Sequence, residues 1–189
     1  MDNYLIIGIG NKGNKYYNNR HNIGFLIIDE FAKSHKISMS FNRDIYYGHI
    51  ILCNKKVHLI KPYSYINQCG YIIRKYIVKY RVTIEKILII SDEIYLPFGI
   101  VKFKNKTNNI QHNGIKNINQ QLKNNQYALL RFGIGNNFSK GNQKDYVLSD
   151  FSENENQKLK ISINKSIEAI NCFIHQGIIK SMNQFNCIK

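Results

Sequence analysis

The sequence predicts an α/β protein, a single domain in which a mixed β-sheet is flanked by helices. Short apolar strand patterns alternate with amphipathic helix patterns along the whole chain, which is typical of layered α/β folds. Two alternating segments, residues 45–53 and 56–60, predict an antiparallel hairpin, so we expect a mixed sheet. No Pro-, Gly- or Ser-rich linker and no internal repeat divides residues 1–189, which predicts one domain.

The first half of the chain predicts a strand, a helix, the hairpin and a second helix, in that order. Residues 4–8 form a short apolar run, the pattern of a buried strand. Residues 25–34 carry apolar side chains at helical spacing, and Asn22 is the expected N-cap. Residues 65–80 have one apolar stripe, which predicts an amphipathic helix.

The second half continues the alternation of strands and helices. Residues 87–90 are apolar throughout and predict a buried strand, followed directly by Ser91-Asp92-Glu93. The later patterns predict a short strand, a polar loop, a helix, a strand and a long helix at residues 100–103, 105–111, 114–122, 128–134 and 155–175.

The composition is that of an ordinary globular protein. Hydrophobic residues make up 43% of the chain, and no segment approaches the roughly 20 apolar residues that a membrane span needs. The N-terminus lacks the basic and apolar regions of a signal peptide, so we expect a cytoplasmic protein. The four cysteines include no C-x-x-C pair, and we expect reduced thiols rather than a zinc site or a disulfide framework.

The net charge indicates a polyanionic partner. Lys and Arg number 27 against 12 Asp and Glu, a formal charge of +15, which favours nucleic-acid binding. Basic residues that would hold a phosphate backbone beside the site are Lys102, Lys104, Lys106, Arg131, Lys140 and Lys144. Two alternatives stay open. These residues could form a solvated fringe, and an AT-rich genome favours codons for Lys, Asn, Ile and Tyr.

Polar groups fall at the ends of several predicted strands or in the connections that follow, and ligands bind at the carboxyl ends of strands in open α/β sheets. They are Asn11, His21, Asn67, Asp92 and His112-Asn113. An imidazole can act as a base near neutrality, a carboxylate such as Asp92 would orient it, and amides could stabilise an oxyanion. The alternatives stay open that His21 is a structural imidazole, that Asn67 and Asn113 are helix caps, and that Asp92 is a turn residue. No metal-ligand spacing appears among the histidines, which favours a metal-free mechanism.

One motif suggests a different kind of site, a dinucleotide-binding site. Residues 8–13 satisfy G-x-G-x-x-G after a strand, the pattern of a dinucleotide-binding turn. That turn should open directly into an apolar-faced helix, whereas residues 14–20 have no helical stripe. The sequence therefore argues against a nucleotide cofactor.

The constellation resembles the bacterial-type peptidyl-tRNA hydrolases. The matching blocks follow one another in order over nearly the whole chain, and they are residues 8–13, 20–25, 61–70, 92–97, 112–116 and 131–135. The resemblance implies a twisted mixed sheet between helices in a cofactor-free monomer. It also implies hydrolysis of the ester between a peptide and the 3′ ribose of tRNA, which recycles tRNA from aborted translation.

The resemblance also implies roles for particular residues. His21 corresponds to the general base, Asp92 to the carboxylate that keeps it basic, and Asn11 to the residue that distinguishes N-blocked from free aminoacyl-tRNA. Lys104 and Arg131 correspond to the pair that grips tRNA phosphates. The remaining positions are expected to contact substrate, and they are Tyr16, Tyr65, Asn67 and Asn113.

The chain departs from the family pattern in three places. Lys12 replaces the usual proline, Ile66 replaces the usual methionine, and residues 105–111 replace a glycine-rich loop. Fewer glycines should restrict positive-φ conformations, so we expect peptide binding and loop motion to differ, but not the base and its carboxylate. The departures leave open an RNA-binding protein on the same fold that has lost turnover. A generic esterase is a third hypothesis.

Overall fold

The computed structural model describes residues 1–187. Within these residues, seven strands form one sheet: Asp2–Gly8 (β1), Ser40–Asn42 (β2), Ile45–Leu52 (β3), Lys55–Pro62 (β4), Ile87–Glu93 (β5), Val101–Lys104 (β6) and Ala128–Gly133 (β7). The helices are Ile23–Ser34 (α1), Gly70–Tyr80 (α2), Asn113–Leu122 (α3), Gln143–Val147 (α4) and Glu153–Phe185 (α5). Short 3₁₀ turns occupy Asn14–Tyr16, Arg20–Asn22, Ile66–Gln68 and Ile84–Lys86.

The strand order is β2-β3-β4-β1-β5-β7-β6, and the sheet is mixed, as predicted. Strands β4, β1, β5 and β7 are parallel neighbours in the centre. The predicted hairpin is confirmed as the antiparallel pair β3 and β4, while β2 and β6 form antiparallel edges. The parallel centre brings the carboxyl ends of β1 and β5 side by side.

Both faces of the central strands are buried, which explains their uninterrupted apolar sequences. In β1, Ile6 belongs to the core under α1 and α5, where Phe31 and Phe173 are fully buried. Leu5 and Ile7 point to the opposite core, under α2 and α3. The predicted α/β class with helices on both faces is confirmed.

Some element boundaries differ from the predictions. The predicted helix at residues 65–80 begins with the 3₁₀ turn Ile66–Gln68, and α2 starts only at Gly70. The predicted strand at residues 87–90 continues to Glu93, so Asp92 lies inside β5 and pairs with Phe132. Asn22 occupies the N-cap position of α1, but its side chain makes no capping bond, because tertiary contacts hold it.

The C-terminal helix is longer than predicted, and two short elements carry no sequence signal. Helix α5 is interrupted at Gly177, whose φ of 78° lies in the left-handed region that glycine tolerates. Strand β2 has three exposed residues, and α4 has five residues, none of them buried. No helix within the part of the chain that the structure describes is both long enough and apolar enough to cross a membrane.

Candidate active site

The predicted polar groups meet in one cleft at the carboxyl ends of β1 and β5. The cleft has a volume of about 860 Å³. Sequence-predicted polar residues in its lining are Asn11, His21, Tyr65, Asn67, Asp92, His112 and Asn113. The other wall comes from the segment around α4, including Phe138, Lys140 and Lys144. The size suits a substrate that spans several residues.

Two glycines bring His21 to the sheet. A Cβ atom on Gly8 would lie 2.2 Å from the carbonyl oxygen of Gly24, and one on Gly24 would lie 2.5 Å from that of Ile9. Any side chain at either position would push the start of α1 away from β1. Because this close approach is possible, the turn Arg20–Asn22 reaches the end of β5.

His21 and Asp92 form the centre of the site. Nδ1 of His21 lies 2.9 Å from Oδ1 of Asp92, and the side chains are 14% and 3% exposed. Since a carboxylate only accepts hydrogen bonds, Nδ1 carries the proton and donates it to Asp92. Within residues 1–187, Nε2 of His21 makes no hydrogen bond, so its lone pair is available to a water molecule in the cleft.

His112 is a third member of this centre, and the sequence did not single it out for that role. Its Nε2 lies 2.9 Å from the same oxygen, Oδ1 of Asp92. Its Nδ1 accepts hydrogen bonds from the backbone N–H groups of Gly114 and Ile115 at the start of α3. Nδ1 is therefore unprotonated, and the proton on Nε2 points to Asp92. The sequence placed His112 among the polar groups of the site but did not indicate its contact with Asp92.

The electrostatics of the three groups favour a charged Asp92. Burial raises the pKa of the Asp92 carboxyl, but both histidines attract its charge and donate hydrogen bonds, which hold its pKa well below the usual range. Burial lowers the pKa of His21, but the charge of Asp92 and the hydrogen bond to it raise that pKa by more. The net result is a pKa for His21 above its ordinary value of 6.5.

Asn11 is held rigidly beside this centre. Its backbone exchanges two hydrogen bonds with the side chain of Asn22, at 2.8 and 2.9 Å. Its side-chain Oδ1 accepts a hydrogen bond from the backbone N–H of Ile66 at 2.8 Å. Oδ1 is thus occupied, and within the described residues its Nδ2 makes no hydrogen bond. Asn11 therefore presents a donor to the cleft, which suits binding of a carbonyl oxygen.

The other predicted substrate residues are divided between the cleft and its surroundings. Tyr65, Asn67 and Asn113 are exposed within the cleft, and the two amides make no hydrogen bond among residues 1–187. Tyr16 lies in the turn Asn14–Tyr16, outside the cleft lining that the described residues form. That turn is not followed by an α-helix, so the arrangement differs from a dinucleotide-binding turn.

The two predicted phosphate-binding residues also lie outside this lining, on β6 and β7. Arg131 is half-buried and its Nη1 is 3.5 Å from Oε2 of Glu93, which does line the cleft. Nζ of Lys104 donates to the carbonyl oxygen of Asn108. Arg131 therefore adjoins the cleft through Glu93, whereas Lys104 pairs with Leu129, nearer the amino end of β7.

His21, Asp92 and His112 could also hold a metal ion by geometry. Within the part of the chain that the structure describes, their ligand atoms lie within 4.8 Å of one another. A metal would have to displace the protons on both nitrogens that face Asp92. The cluster is invisible in sequence spacing, and the metal-free mechanism stays a prediction.

Comparisons with known proteins identify the family. A family model described as Peptidyl-tRNA hydrolase matches residues 5–189. The chain belongs to the peptidyl-tRNA hydrolase family. The peptidyl-tRNA hydrolase of Azobacteroides pseudotrichonymphae is 43% identical over 186 residues, 97% of this chain and 98% of that protein. The peptidyl-tRNA hydrolase of Bacteroides fragilis is 37% identical over 183 residues, 97% of this chain and 98% of that protein.

A solved structure of this family has the same fold. The crystal structure of peptidyl-tRNA hydrolase from Acinetobacter baumannii matches with a TM-score of 0.91 at 27% sequence identity. The match covers 98% of this chain and 95% of that one. The fold expected from the resemblance to peptidyl-tRNA hydrolases is therefore confirmed, and so is the family.

Proposed function

We propose that this chain hydrolyses the ester between a peptide, or an N-blocked aminoacyl group, and the 3′ ribose of tRNA. The peptidyl-tRNA hydrolase family is defined by that activity. The observation in this chain that supports it most directly is the contact of His21 with Asp92 at the floor of a large cleft. The products are free tRNA and the released peptide, and aborted translation supplies the substrate.

In this mechanism His21 is the general base. Nε2 takes a proton from water as the water oxygen attacks the ester carbonyl, and Asp92 stabilises the imidazolium that forms. The tetrahedral intermediate then collapses, the bond to the 3′ oxygen breaks, and Nε2 returns the proton to that oxygen. Such acid–base assistance contributes about 10²- to 10⁴-fold to the rate.

The amides around the base hold the carbonyl oxygens of the substrate. Asn67 and Asn113 have free donors in the cleft, which supports a role for one of them at the developing oxyanion. The Nδ2 donor of Asn11 suits the carbonyl that N-blocking adds to an aminoacyl group. A free α-amino group lacks that acceptor and carries positive charge instead, so Asn11 would favour blocked substrates.

The tRNA would lie along the β7–β6 side of the cleft. Lys140 and Lys144 are exposed in the cleft wall, and Lys104 and Arg131 lie on the adjoining strands. The net charge of +15 supports binding of a substrate with many phosphates, such as tRNA. Tyr65 would pack against the substrate inside the cleft, and Tyr16 would contact it at the cleft margin.

The proposal extends to the domain organisation, the oligomeric state, the location and the cofactor requirement. We propose that residues 1–189 act as one peptidyl-tRNA hydrolase domain, since the family model spans residues 5–189. We propose a monomer that works in the cytoplasm, where translation produces peptidyl-tRNA, and that needs no cofactor.

The test is turnover of an N-acetyl-aminoacyl-tRNA by the purified wild-type chain. We expect hydrolysis, slower hydrolysis of the unblocked aminoacyl-tRNA, and a kcat/KM that falls steeply as salt rises. Tight tRNA binding without hydrolysis would support the RNA-binding alternative. Turnover that does not respond to salt would support a generic esterase.

A further inference from the structure

An aromatic ridge leads out of the cleft on the side opposite the basic strands. Tyr65 lines the cleft and is 44% exposed. Nζ of Lys12 lies 5.4 Å from the Tyr65 ring and 5.8 Å from the ring of Tyr63. The Tyr63 ring packs 5.1 Å from Phe41 and 6.1 Å from Tyr46. The five residues Tyr65, Lys12, Tyr63, Phe41 and Tyr46 form a continuous surface, here called the aromatic ridge.

The aromatic side chains of the ridge are much more exposed than those of the buried cores. Tyr63 is 40% exposed and Phe41 is 52% exposed. Aromatic side chains that stay in mutual contact while facing solvent are typical of binding surfaces. The ridge is also fixed in place, because the backbone N–H of Lys12 donates to the carbonyl oxygen of Ser64 at 3.0 Å.

The charges on the ridge leave its cation available. The nearby carboxylates already have lysine partners, since Asp44 pairs with Lys75 and Asp29 pairs with Lys61. Among residues 1–187, no carboxylate pairs with Lys12. Its ammonium group instead lies near two tyrosine rings, where it can pair with an acidic group or donate a hydrogen bond to a backbone carbonyl.

The sheet order decides which part of the substrate meets the ridge. The four aromatic residues of the ridge lie on β2, on β3 and directly after β4, at one side of the sheet, and Lys12 follows the neighbouring strand β1. Lys104 and Arg131 lie on β6 and β7, at the other side, and the base lies between them. With the tRNA phosphates on the basic side, the peptide leaves the ester towards β4, β3 and β2.

We propose that the aromatic ridge binds the nascent peptide beyond its first residues and favours peptides with aromatic or large apolar side chains there. This inference rests on the proposed function. The distances from the Tyr65 ring through Lys12 and Tyr63 to the Phe41 ring set an upper limit of about 16 Å on the length of the ridge. About five residues of an extended peptide span that length. The ridge therefore contacts roughly the third to fifth residues of the peptide, counted from the ester.

The experiment compares three substrates on the full chain. They are tRNA carrying an N-acetyl-pentapeptide with Phe at the third to fifth residues from the ester, the same pentapeptide with Ser there, and a single N-acetyl-amino acid. We expect wild type to prefer the Phe peptide over the Ser peptide by about tenfold in kcat/KM, as two aromatic contacts would give. The double variant Tyr63→Ser and Phe41→Ser should abolish that preference.

Tyr71→Ser is the matched control, since Tyr71 is a 66% exposed tyrosine on α2 that is not one of the five ridge residues. It should keep the wild-type preference. Phe41→Ser alone, at an exposed position, should lose part of the preference if the double variant proves unstable. Equal kcat/KM of wild type for the Phe and Ser peptides overturns the proposal.

Two other results would also contradict the proposal, and both differ from equal kcat/KM for the Phe and Ser peptides. If the double variant loses kcat/KM equally on all three substrates, the ridge contacts the tRNA that they share, and the peptide proposal is wrong. If wild type hydrolyses none of the three, the proposed function itself fails, and the ridge proposal fails with it.

Discussion

His112 and Asp92 are joined by a hydrogen bond of 2.9 Å that ends on the same carboxylate oxygen as the bond from His21. Asp92 is thus shared between a histidine that opens onto the cleft and a histidine fixed by the N-terminus of α3. The ring centroids of the two histidines lie 4.9 Å apart. Because His112 donates a hydrogen bond to Asp92, the carboxylate stabilises the protonated form of His21 less than it would without His112.

Loss of the His112 donor should therefore raise the pKa of His21. In His112→Ala, the Asp92 charge is stabilised less and interacts more strongly with the imidazolium of His21. We expect the acid limb of the kcat profile to move to higher pH and kcat to fall less than in His21→Ala. His112→Gln keeps a donor and should restore part of the shift, whereas unchanged profiles in both variants would contradict the shared-carboxylate account.

Asp92→Asn should move the acid limb in the opposite direction. The burial that lowers the pKa of His21 remains, while the charge that raises it is gone. The base form then persists to lower pH, so the acid limb shifts downward, while kcat falls by roughly 10²- to 10⁴-fold because the imidazolium is no longer stabilised. Rates measured from pH 4.5 to 9 would show it. An acid limb that stays in place would mean that another group titrates.

Asn11→Asp separates the two functions of the Asn11 side chain. A carboxylate still accepts the hydrogen bond from the backbone N–H of Ile66, but it has no donor for the substrate carbonyl. We expect the folded structure to be retained and the preference for N-acetyl-aminoacyl-tRNA over aminoacyl-tRNA to fall about tenfold, the value of one or two hydrogen bonds. An unchanged preference would remove Asn11 from substrate discrimination.

Gly24→Ala should destabilise the protein and displace His21. The added Cβ would lie 2.5 Å from the carbonyl oxygen of Ile9 and 2.6 Å from that of Ile90. Overpacking of this kind costs about 1–3 kcal/mol in the free energy of unfolding, measurable by urea denaturation. Lys33→Ala, on the exposed side of α1, is the control and should change it by less than about 0.5 kcal/mol.

Chelation tests the metal-free mechanism against the ligand geometry of His21, Asp92 and His112. Dialysis against EDTA should leave kcat/KM unchanged, because the two histidines already donate protons to Asp92. A loss of activity that Zn²⁺ restores would assign the cluster to a catalytic metal instead.

Much of the fold was predictable because its central elements have strong, regular patterns. The apolar run of β1 and the alternation of β3 and β4 lead directly to the mixed sheet. Strand β2 and helix α4 were missed because neither contains a buried residue, so neither has a hydrophobic period to detect. Asn22 was expected to cap α1, but its side chain bonds to the backbone of Asn11, a contact that no local rule anticipates.

The site was predictable where residue type alone suggests chemistry. His21, Asp92 and the asparagines were identified from their positions after predicted strands, and the structure gathers them in one cleft. The place of His112 was not predictable, because its contact with Asp92 depends on how α3 sits against β5. The interaction of Arg131 with Glu93 likewise depends on strand pairing rather than on spacing.

The central claim is that His21 is the general base, and single-turnover hydrolysis of N-acetyl-aminoacyl-tRNA by His21→Ala tests it most directly. Binding of the substrate should persist, because the cationic residues and the amides are unchanged. We predict a rate about 10²- to 10⁴-fold below wild type and no remaining acid limb between pH 5 and 8. A variant that retains more than a few per cent of the wild-type rate, with the same pH dependence, would contradict the account.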